Sequence, residues 1–191
     1  MPKITAPTVA EHRAAQRAAL VRAAGAILVA EGLAGVSPRA VTERAGLARS
    51  SFYDYFGTKD DLLVAIAIDA ITEWDAEIEE ALANAEAGAP RLRALVEATM
   101  AMTADGRHGI AGALRDADLH PSRYEDLMQM HDALLRPVVA VLGECGVREP
   151  ERAAVLVQGT LAAGMQLVTH GADHRAVAED VYRLLVDGVL A

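Results

Sequence analysis

A chain of 191 residues is long enough for one sizeable core, or for a small domain joined to a larger one. Its composition, 52% hydrophobic and 24% charged, excludes a disordered chain. Because only 4% of the residues are aromatic, we predict a core built mainly from Ala, Leu and Val. The single cysteine, Cys145, excludes an internal disulfide and fits a reducing cytoplasm.

The net charge of −9 is distributed unevenly along the chain. Residues 1–59 carry eight Lys or Arg against four Asp or Glu, whereas residues 60–191 carry ten against 23. A basic N-terminal segment on an acidic body indicates that only this segment meets a polyanion such as nucleic acid. Chance asymmetry in an acidic protein is the alternative interpretation of the charge alone.

Residues 153–172 are long enough to cross a bilayer and contain no Asp, Glu, Lys or Arg. Three glycines and five polar side chains make this stretch too polar for a lone helix in lipid. We therefore predict a buried or interfacial helix and no membrane partner. Residues 1–10 also lack the apolar region of a signal peptide.

Helical periodicity predicts a first helix from about residue 8 to residue 31, with Gly32 as a left-handed stop. Ser37 is a suitable N-cap for a short second helix, which ends where Gly46 permits a left-handed turn. A third helix is predicted from about residue 49 to Gly57. Two short helices joined by a tight, Gly-led turn form a helix-turn-helix.

The rest of the sequence also predicts helices. The fourth begins at residues 58–61, whose Thr-Lys-Asp-Asp sequence resembles a capping box, and runs to about residue 85. Gly and Pro then separate five further predicted helices, at residues 90–104, 107–117, 121–143, 149–170 and 174–190. We therefore predict an all-α fold of about nine helices. A three-helix helix-turn-helix domain would occupy residues 1–57, and a larger helical domain residues 58–191.

The most specific motif lies between residues 45 and 62. Ala45-Gly46-Leu47 is followed by Phe52-Tyr53-x-Tyr55-Phe56 and then by Thr58-Lys59-x-x-Leu62. This pattern resembles the N-terminal region of TetR-family transcriptional regulators over residues 15–65, a third of the chain. The resemblance implies a cytoplasmic, bacterial, non-enzymatic homodimer. Its first domain would read double-stranded DNA, and its second would dimerise and bind a small-molecule effector. The expected mechanism is a repressor that the effector releases from a palindromic operator.

The N-terminal end of the second helix of a helix-turn-helix faces base edges in the major groove. Arg49 is the candidate for a bidentate guanine contact, whereas Lys59 offers a charge and a helix N-terminus to a phosphate. The resemblance assigns the whole set of candidates to the DNA interface. These candidates are Arg39, Thr42, Arg49, Ser50, Ser51, Tyr53, Tyr55 and Lys59.

Two residues depart from the family's pattern. Ala48 lacks the side-chain oxygen of the usual helix cap, which costs about 1 kcal/mol of helix stability. Asp54 stands where a neutral residue is common, and it either accepts from a cytosine amino group or points to solvent. Both leave the preferred DNA sequence open. Together with the overall negative charge, they motivate one alternative, a TetR-fold small-molecule-binding or protein-interaction module that does not read DNA. A DNA binder without an effector is a second, separate alternative.

The last two helices are predicted to form the dimer interface, because small and apolar residues there share faces that let helices approach closely. The resemblance implies a four-helix interface made by these two helices of each subunit, and an ordinary intramolecular bundle is the alternative. The predicted interface residues are Val155, Gly159, Ala162, Ala163, Gln166, Val181, Leu184 and Leu185.

A small, largely apolar effector is expected among bulky, adaptable side chains and polar groups on apolar helix faces. The candidates are Trp74, Met100, His108, Met128, His131, Gln158 and Met165. His131 and Gln158 can equally be core residues with satisfied hydrogen bonds, and His108 rests on the resemblance alone. We predict no cofactor and no metal, since His170-x-x-Asp173-His174 lacks a clear fourth ligand.

Overall fold

The computed structural model describes residues 8–106 and 135–189. In these residues all regular secondary structure is helical. The elements are α1 (Val9–Gly35), α2 (Pro38–Arg44), a 3-10 helix (Arg49–Phe52), α3 (Lys59–Ala83), α4 (Ala89–Ala104), α5 (Leu135–Glu144), α6 (Pro150–Thr169) and α7 (His174–Val189). The all-α prediction is confirmed for this part of the chain. The count of nine helices is not, because the helix predicted at residues 107–117 and the first part of that at 121–143 lie outside the described residues.

Side-chain caps define where α2 and α3 begin. The Ser37 hydroxyl accepts a hydrogen bond from the Ala40 N–H at 3.2 Å, and Pro38 occupies the first turn. Thr58 and Asp61 form a reciprocal pair, in which each backbone N–H donates to the other side chain at 3.0–3.1 Å. Both predicted helix starts are therefore confirmed.

Two glycines near the ends of the first two helices adopt the left-handed conformation that other residues resist. Gly32 has φ 69° and interrupts α1 shortly before its last residue, and Gly46 has φ 71° in the turn after α2. The predicted third helix is shorter than expected: a four-residue 3-10 helix leads into a turn at residues 53–55. Ala48 provides no side-chain cap to this helix, and Ser50 and Ser51 are weak helix formers.

Residues 8–69 belong to the first of two compact units, and the boundary falls within α3. In this unit α1 packs against α2, and α2 packs against the 3-10 helix. Phe52 and Phe56 are buried, with ring centroids 5.8 Å apart. The principal buried residues are Leu20, Val21, Ala24, Ile27, Leu28, Val36, Val41, Phe52, Phe56, Leu62, Leu63 and Ile66. An aromatic pair therefore anchors the 3-10 helix and its turn in the core of the unit.

The second unit, described at residues 70–106 and 135–189, is a helical bundle. Helix α4 packs against α5, α6 and α7, and α6 also packs against α5 and α7. Its core holds Leu92, Leu95, Val96, Met100, Val138, Val141, Leu142, Ala154, Val157, Leu161, Val168, Val177, Ala178, Val181 and Leu185. Most of the uncharged stretch at residues 153–172 thus belongs to α6, a helix with one side buried in this core.

Helix α1 is the one described helix that is long and apolar enough to cross a membrane, judged by length and composition alone. Leu20, Ala24 and Leu28 lie along its buried side. Arg13 and Arg22 are exposed on the same helix. Burial in the core of the first unit therefore accounts for the apolar character of α1.

Candidate nucleic-acid interface

The 3-10 helix and the following turn present several hydrogen-bonding side chains to solvent. Arg49 and Ser50 are exposed, Ser51 is half-buried and Tyr53 is 64% exposed. The buried Phe52 ring meets the Tyr53 ring edge-on, with centroids 5.2 Å apart. A buried anchor thus lies directly behind an accessible guanidinium, a hydroxyl and a phenol, which are the groups that contact base edges and phosphates.

Helix α2 provides one accessible candidate and one buried candidate. Arg39 is exposed, and its ion pair with Glu43 at 4.0 Å joins two solvated side chains, so the pair restrains Arg39 only weakly. Thr42 is 2% exposed, and its hydroxyl donates to the carbonyls of Pro38 and Arg39 at 2.8 and 3.1 Å. Because Thr42 offers DNA almost no surface, the proposed interface does not include it.

Lys59 occupies the first turn of α3, as expected. Its ammonium nitrogen donates to the Leu33 carbonyl at 2.9 Å, and the residue is half-buried. An ammonium group has three N–H donors, so this bond leaves room for a phosphate contact. Lys59 therefore joins the end of α1 to the start of α3, besides carrying a positive charge there.

Contacts from α1 hold residues 54–56, at the end of the turn that follows the 3-10 helix. The Tyr55 hydroxyl donates to Gln16 Oε1 at 2.5 Å, and the Arg13 guanidinium lies 5.3 Å from the centre of the Tyr55 ring. Arg13 Nη2 also donates to the Asp54 carbonyl at 3.2 Å. Farther along α1, the Arg17 guanidinium lies 5.3 Å from the centre of the Phe56 ring. Tyr55, a predicted DNA contact, is thus half-buried and engaged with α1.

A capping box fixes the beginning of α1. The Glu11 N–H donates to Thr8 Oγ1 at 3.2 Å, and the Thr8 N–H donates to the Glu11 carboxylate at 2.5 Å. The bond from the Thr8 N–H to the carboxylate, together with a hydrogen bond between the carboxylate and the Thr8 side chain, holds the pKa of Glu11 below its ordinary value. The turn that precedes Arg13 and Gln16 is therefore well defined.

Asp54 is exposed, as both interpretations of its role require, while its backbone carbonyl binds Arg13. Sequence reasoning missed Arg13, Gln16 and Arg17 as partners of residues 54–56. The contacts of Arg13 and Gln16 join residues 41 and 39 positions apart, so no local spacing or capping signal indicates them.

The effector candidates are distributed as follows. Met100 is fully buried in the core of the second unit, and Met165 is half-buried and packs against the same core. Trp74 on α3 and Gln158 on α6 are half-buried as well. The other candidates, His108, Met128 and His131, lie outside the described residues.

Most of the predicted dimer residues lie on an exposed surface of α6 and α7. Leu184 is 62% exposed, and the other exposed members are Val155, Gly159, Ala162, Ala163 and Gln166. Val181 and Leu185 are different, because the structure places both in the core of the subunit, and we leave them out of the proposed interface. Sequence reasoning missed Leu156 and Leu167, two large apolar side chains that are 67% and 58% exposed.

The described residues also include potential metal ligands and the cysteine thiol. In residues 8–106 and 135–189, no group of three or more His, Cys, Asp or Glu side chains is arranged to hold a metal ion. Burial and the neighbouring Glu144 charge raise the pKa of the half-buried Cys145 thiol, which keeps it protonated at neutral pH.

Residues 20–66, which include α2 and the 3-10 helix, match the family model for bacterial regulatory proteins of the tetR family. No curated protein matches the sequence.

Solved structures with the same fold cover nearly the whole chain. SCO4454, a TetR-family transcriptional regulator from Streptomyces coelicolor, is 24% identical, with a TM-score of 0.73 over 93% of this chain and 95% of its own. FadR, a fatty acid degradation regulator from Bacillus halodurans, is 20% identical, with a TM-score of 0.75 over 91% and 96%. FadR from Bacillus subtilis, in complex with stearoyl-CoA, is 19% identical, with a TM-score of 0.72 over 90% and 98%. The predicted resemblance is therefore confirmed: residues 20–66 match the TetR family, and the chain has the fold of TetR-family transcriptional regulators.

Proposed function

We propose that this protein is a sequence-specific DNA-binding transcriptional regulator that acts as a homodimer. The observation that carries the proposal is the exposed row of Arg49, Ser50 and Tyr53 over the buried Phe52, in the segment that matches the tetR family. In a helix-turn-helix this segment enters the major groove. Two copies related by a two-fold axis would read the half-sites of a palindrome about one helical turn, roughly 34 Å, apart.

The exposed and half-buried side chains divide into a base-reading group and a phosphate-binding group. Arg49 is suited to the O6 and N7 acceptors of a guanine, because its guanidinium donates two parallel hydrogen bonds. Ser50, Ser51 and Tyr53 add hydroxyl groups for bases or phosphates. Arg39 and Lys59 supply positive charge for the phosphate backbone on either side.

The exposed apolar surface of α6 and α7 supports dimerisation. Val155, Leu156, Leu167 and Leu184 are all more than half exposed, which is unfavourable for a monomer in water. Small residues at positions 159, 162 and 163 let a second helix approach this surface closely. A second copy of the chain, packed here, would give one particle with two copies of the proposed DNA reader, residues 49–56.

We further propose a repressor that an effector with a long apolar chain releases from DNA. The FadR relative from Bacillus subtilis was solved with stearoyl-CoA, and this chain places the adaptable side chains of Met100 and Met165 in or against an apolar core. Such an effector would act only if it bound more tightly to the dimer whose two readers are wrongly spaced for DNA than to the dimer bound to DNA.

DNA selection tests the central proposal. The purified full-length protein would select duplexes from a random library, and fluorescence anisotropy at two salt concentrations would measure affinity for the enriched sequence. Arg49→Ala is expected to weaken binding about 10- to 100-fold, because one good bidentate base contact is lost. Arg148→Ala, an exposed arginine in the second unit, is the matched control and should change affinity less than about two-fold.

Failure of the wild type to enrich any sequence would overturn the DNA-binding proposal and favour the interaction-module alternative. The effector proposal has a separate test, in which acyl-CoAs of increasing chain length are added to the protein–DNA complex. Release by long chains, together with an increase in Tm of the DNA-free protein, is expected. Unchanged operator affinity across the series would contradict this effector class.

A further inference from the structure

We infer that Arg13 and Gln16 on α1 are positioning residues for the DNA reader, which act through Tyr55 and the Asp54 backbone. This inference rests on the proposed function and changes the expected role of Tyr55. In place of a direct DNA contact, Tyr55 becomes the link by which α1 fixes the orientation of the segment that carries Arg49 and Tyr53.

The reader requires such support because its own helix is weak. The 3-10 helix has four residues, and Ala48 provides no side-chain cap. Helical segments this short are not stable in isolation, and 3-10 hydrogen bonds have poorer geometry than those of an α-helix. Base recognition depends on where the reader's side chains lie along the groove, so a segment that reoriented freely would lose sequence preference before it lost affinity.

Three residues of α1 at i, i+3 and i+4 spacing supply this support from one face of the helix. Gln16 accepts the Tyr55 hydroxyl bond at 2.5 Å. Arg13 donates to the Asp54 carbonyl at 3.2 Å and covers the Tyr55 ring at 5.3 Å. Arg17 adds a cation–π contact with Phe56 at 5.3 Å. Three consecutive residues after the 3-10 helix, at positions 54–56, are thus each held by α1.

The geometry of Arg13 distinguishes positioning from simple attraction to phosphate. A planar guanidinium can donate to a carbonyl while its face covers an aromatic ring, whereas a lysine ammonium is a point charge without that plane. Arg13→Lys therefore keeps the positive charge but breaks the paired contact with Asp54 and Tyr55. If Arg13 served only as a charge near DNA, this substitution would have little effect.

The first experiment compares Arg13→Lys with Arg22→Lys, an exposed arginine on the same helix. The probes are the duplex enriched by the wild-type protein and a scrambled duplex of the same composition. Arg13→Lys is expected to lower the ratio of the two affinities about ten-fold, with an unchanged salt slope. Arg22→Lys should change it less than about two-fold. A merely structural defect would reduce the active fraction and thus lower both affinities equally.

The second experiment is a double-mutant cycle with Gln16→Leu and Tyr55→Phe, with Tm measured for every variant. Each single variant is expected to lower the ratio of the affinities for the enriched and scrambled duplexes about five-fold, because one hydrogen bond is lost. The double variant should lower this ratio no further than either single variant does. A wild-type ratio in Gln16→Leu beside a lowered ratio in Tyr55→Phe would overturn the inference, because the hydroxyl would then contact DNA directly. If Arg13→Lys and Gln16→Leu both kept the wild-type ratio of affinities, the positioning role would be overturned, whereas the proposed function would stand. A wild type that enriches no duplex would overturn both.

Discussion

Replacing Gly164 with Ala tests how tightly the core of the second unit holds Met100, a predicted effector contact. Gly164 is buried on α6, and a Cβ added there would lie 2.8 Å from Met100 Cε and 2.9 Å from Val181 Cγ2. Both distances are shorter than ordinary van der Waals contact between carbons. A methyl group at this position therefore requires one neighbour to move.

Two effects of opposite sign set the magnitude. Alanine inside a helix is more stable than glycine by about 0.5–1 kcal/mol. Overpacking of a core costs about 1–3 kcal/mol. The flexible Met100 side chain can yield, but Val181 is β-branched and restricted in rotamer, so overpacking should prevail. We expect Gly164→Ala to lower the free energy of unfolding by about 1 kcal/mol, or Tm by about 2–4 °C for a chain of this size.

Urea denaturation at one fixed protein concentration measures this effect, because the proposed dimerisation would make stability depend on concentration. The matched control is Gly143→Ala on α5, where an added Cβ meets no atom within 4 Å and the residue is exposed. That variant should gain up to about 1 kcal/mol. If Gly164→Ala were as stable as the control, Met100 would border open space, and the account of a fully packed core at this point would be refuted.

Three further substitutions test the surface, the charges and the caps. Leu184→Glu places a charge on the exposed apolar surface, so we expect the dimer dissociation constant to rise at least about 30-fold in sedimentation, and an unchanged dimer would contradict the proposed interface. Hydrogen bonds from Arg93 and Arg183 hold the pKa of Glu179 below its ordinary value of 4.5. The contribution of the Glu179 carboxylate to the free energy of unfolding is therefore complete above that value, and it is lost as pH falls through the lower pKa of the folded state. Urea denaturation should accordingly show that Glu179→Gln differs from the wild type at pH 7 and converges with it in strong acid, whereas a constant difference would argue against this ion pair. Ser37→Ala removes the cap of α2 and should cost about 1 kcal/mol of unfolding free energy, with no loss meaning that the cap contributes nothing.

Local signals made the first unit predictable from the sequence. The Ser37 cap, the left-handed Gly46 and the Thr58–Asp61 pair each act within four residues, so their sequence spacing determines their geometry. The extent of the third helix was less predictable. Its sequence supports a turn as well as a helix, and buried Phe52 and the contacts from α1 determine its conformation.

Interactions between residues far apart in the chain could not be predicted from the sequence. Helical periodicity predicts which residues share a face, but not what that face packs against. On α7 it grouped Leu184 with Val181 and Leu185, whereas the structure exposes the first and buries the other two. The same limit applies to Gln16 and Tyr55, because nothing in the sequence indicates a hydrogen bond between two residues that are 39 positions apart.

The contacts within the first unit also constrain how the proposed effector would release DNA. The reader is tied to α1 through residues 54–56, and α1 is tied to α3 through the bond between Lys59 and the Leu33 carbonyl. Because the reader is held by α1, which is itself joined to the start of α3, the reader moves with its unit rather than alone. We therefore expect an effector to change the distance between the two readers of a dimer and to leave each reader intact. Hydrogen exchange of residues 49–56 should then be the same with and without the releasing acyl-CoA, and effector-induced loss of protection there would instead indicate release by local unfolding of the reader.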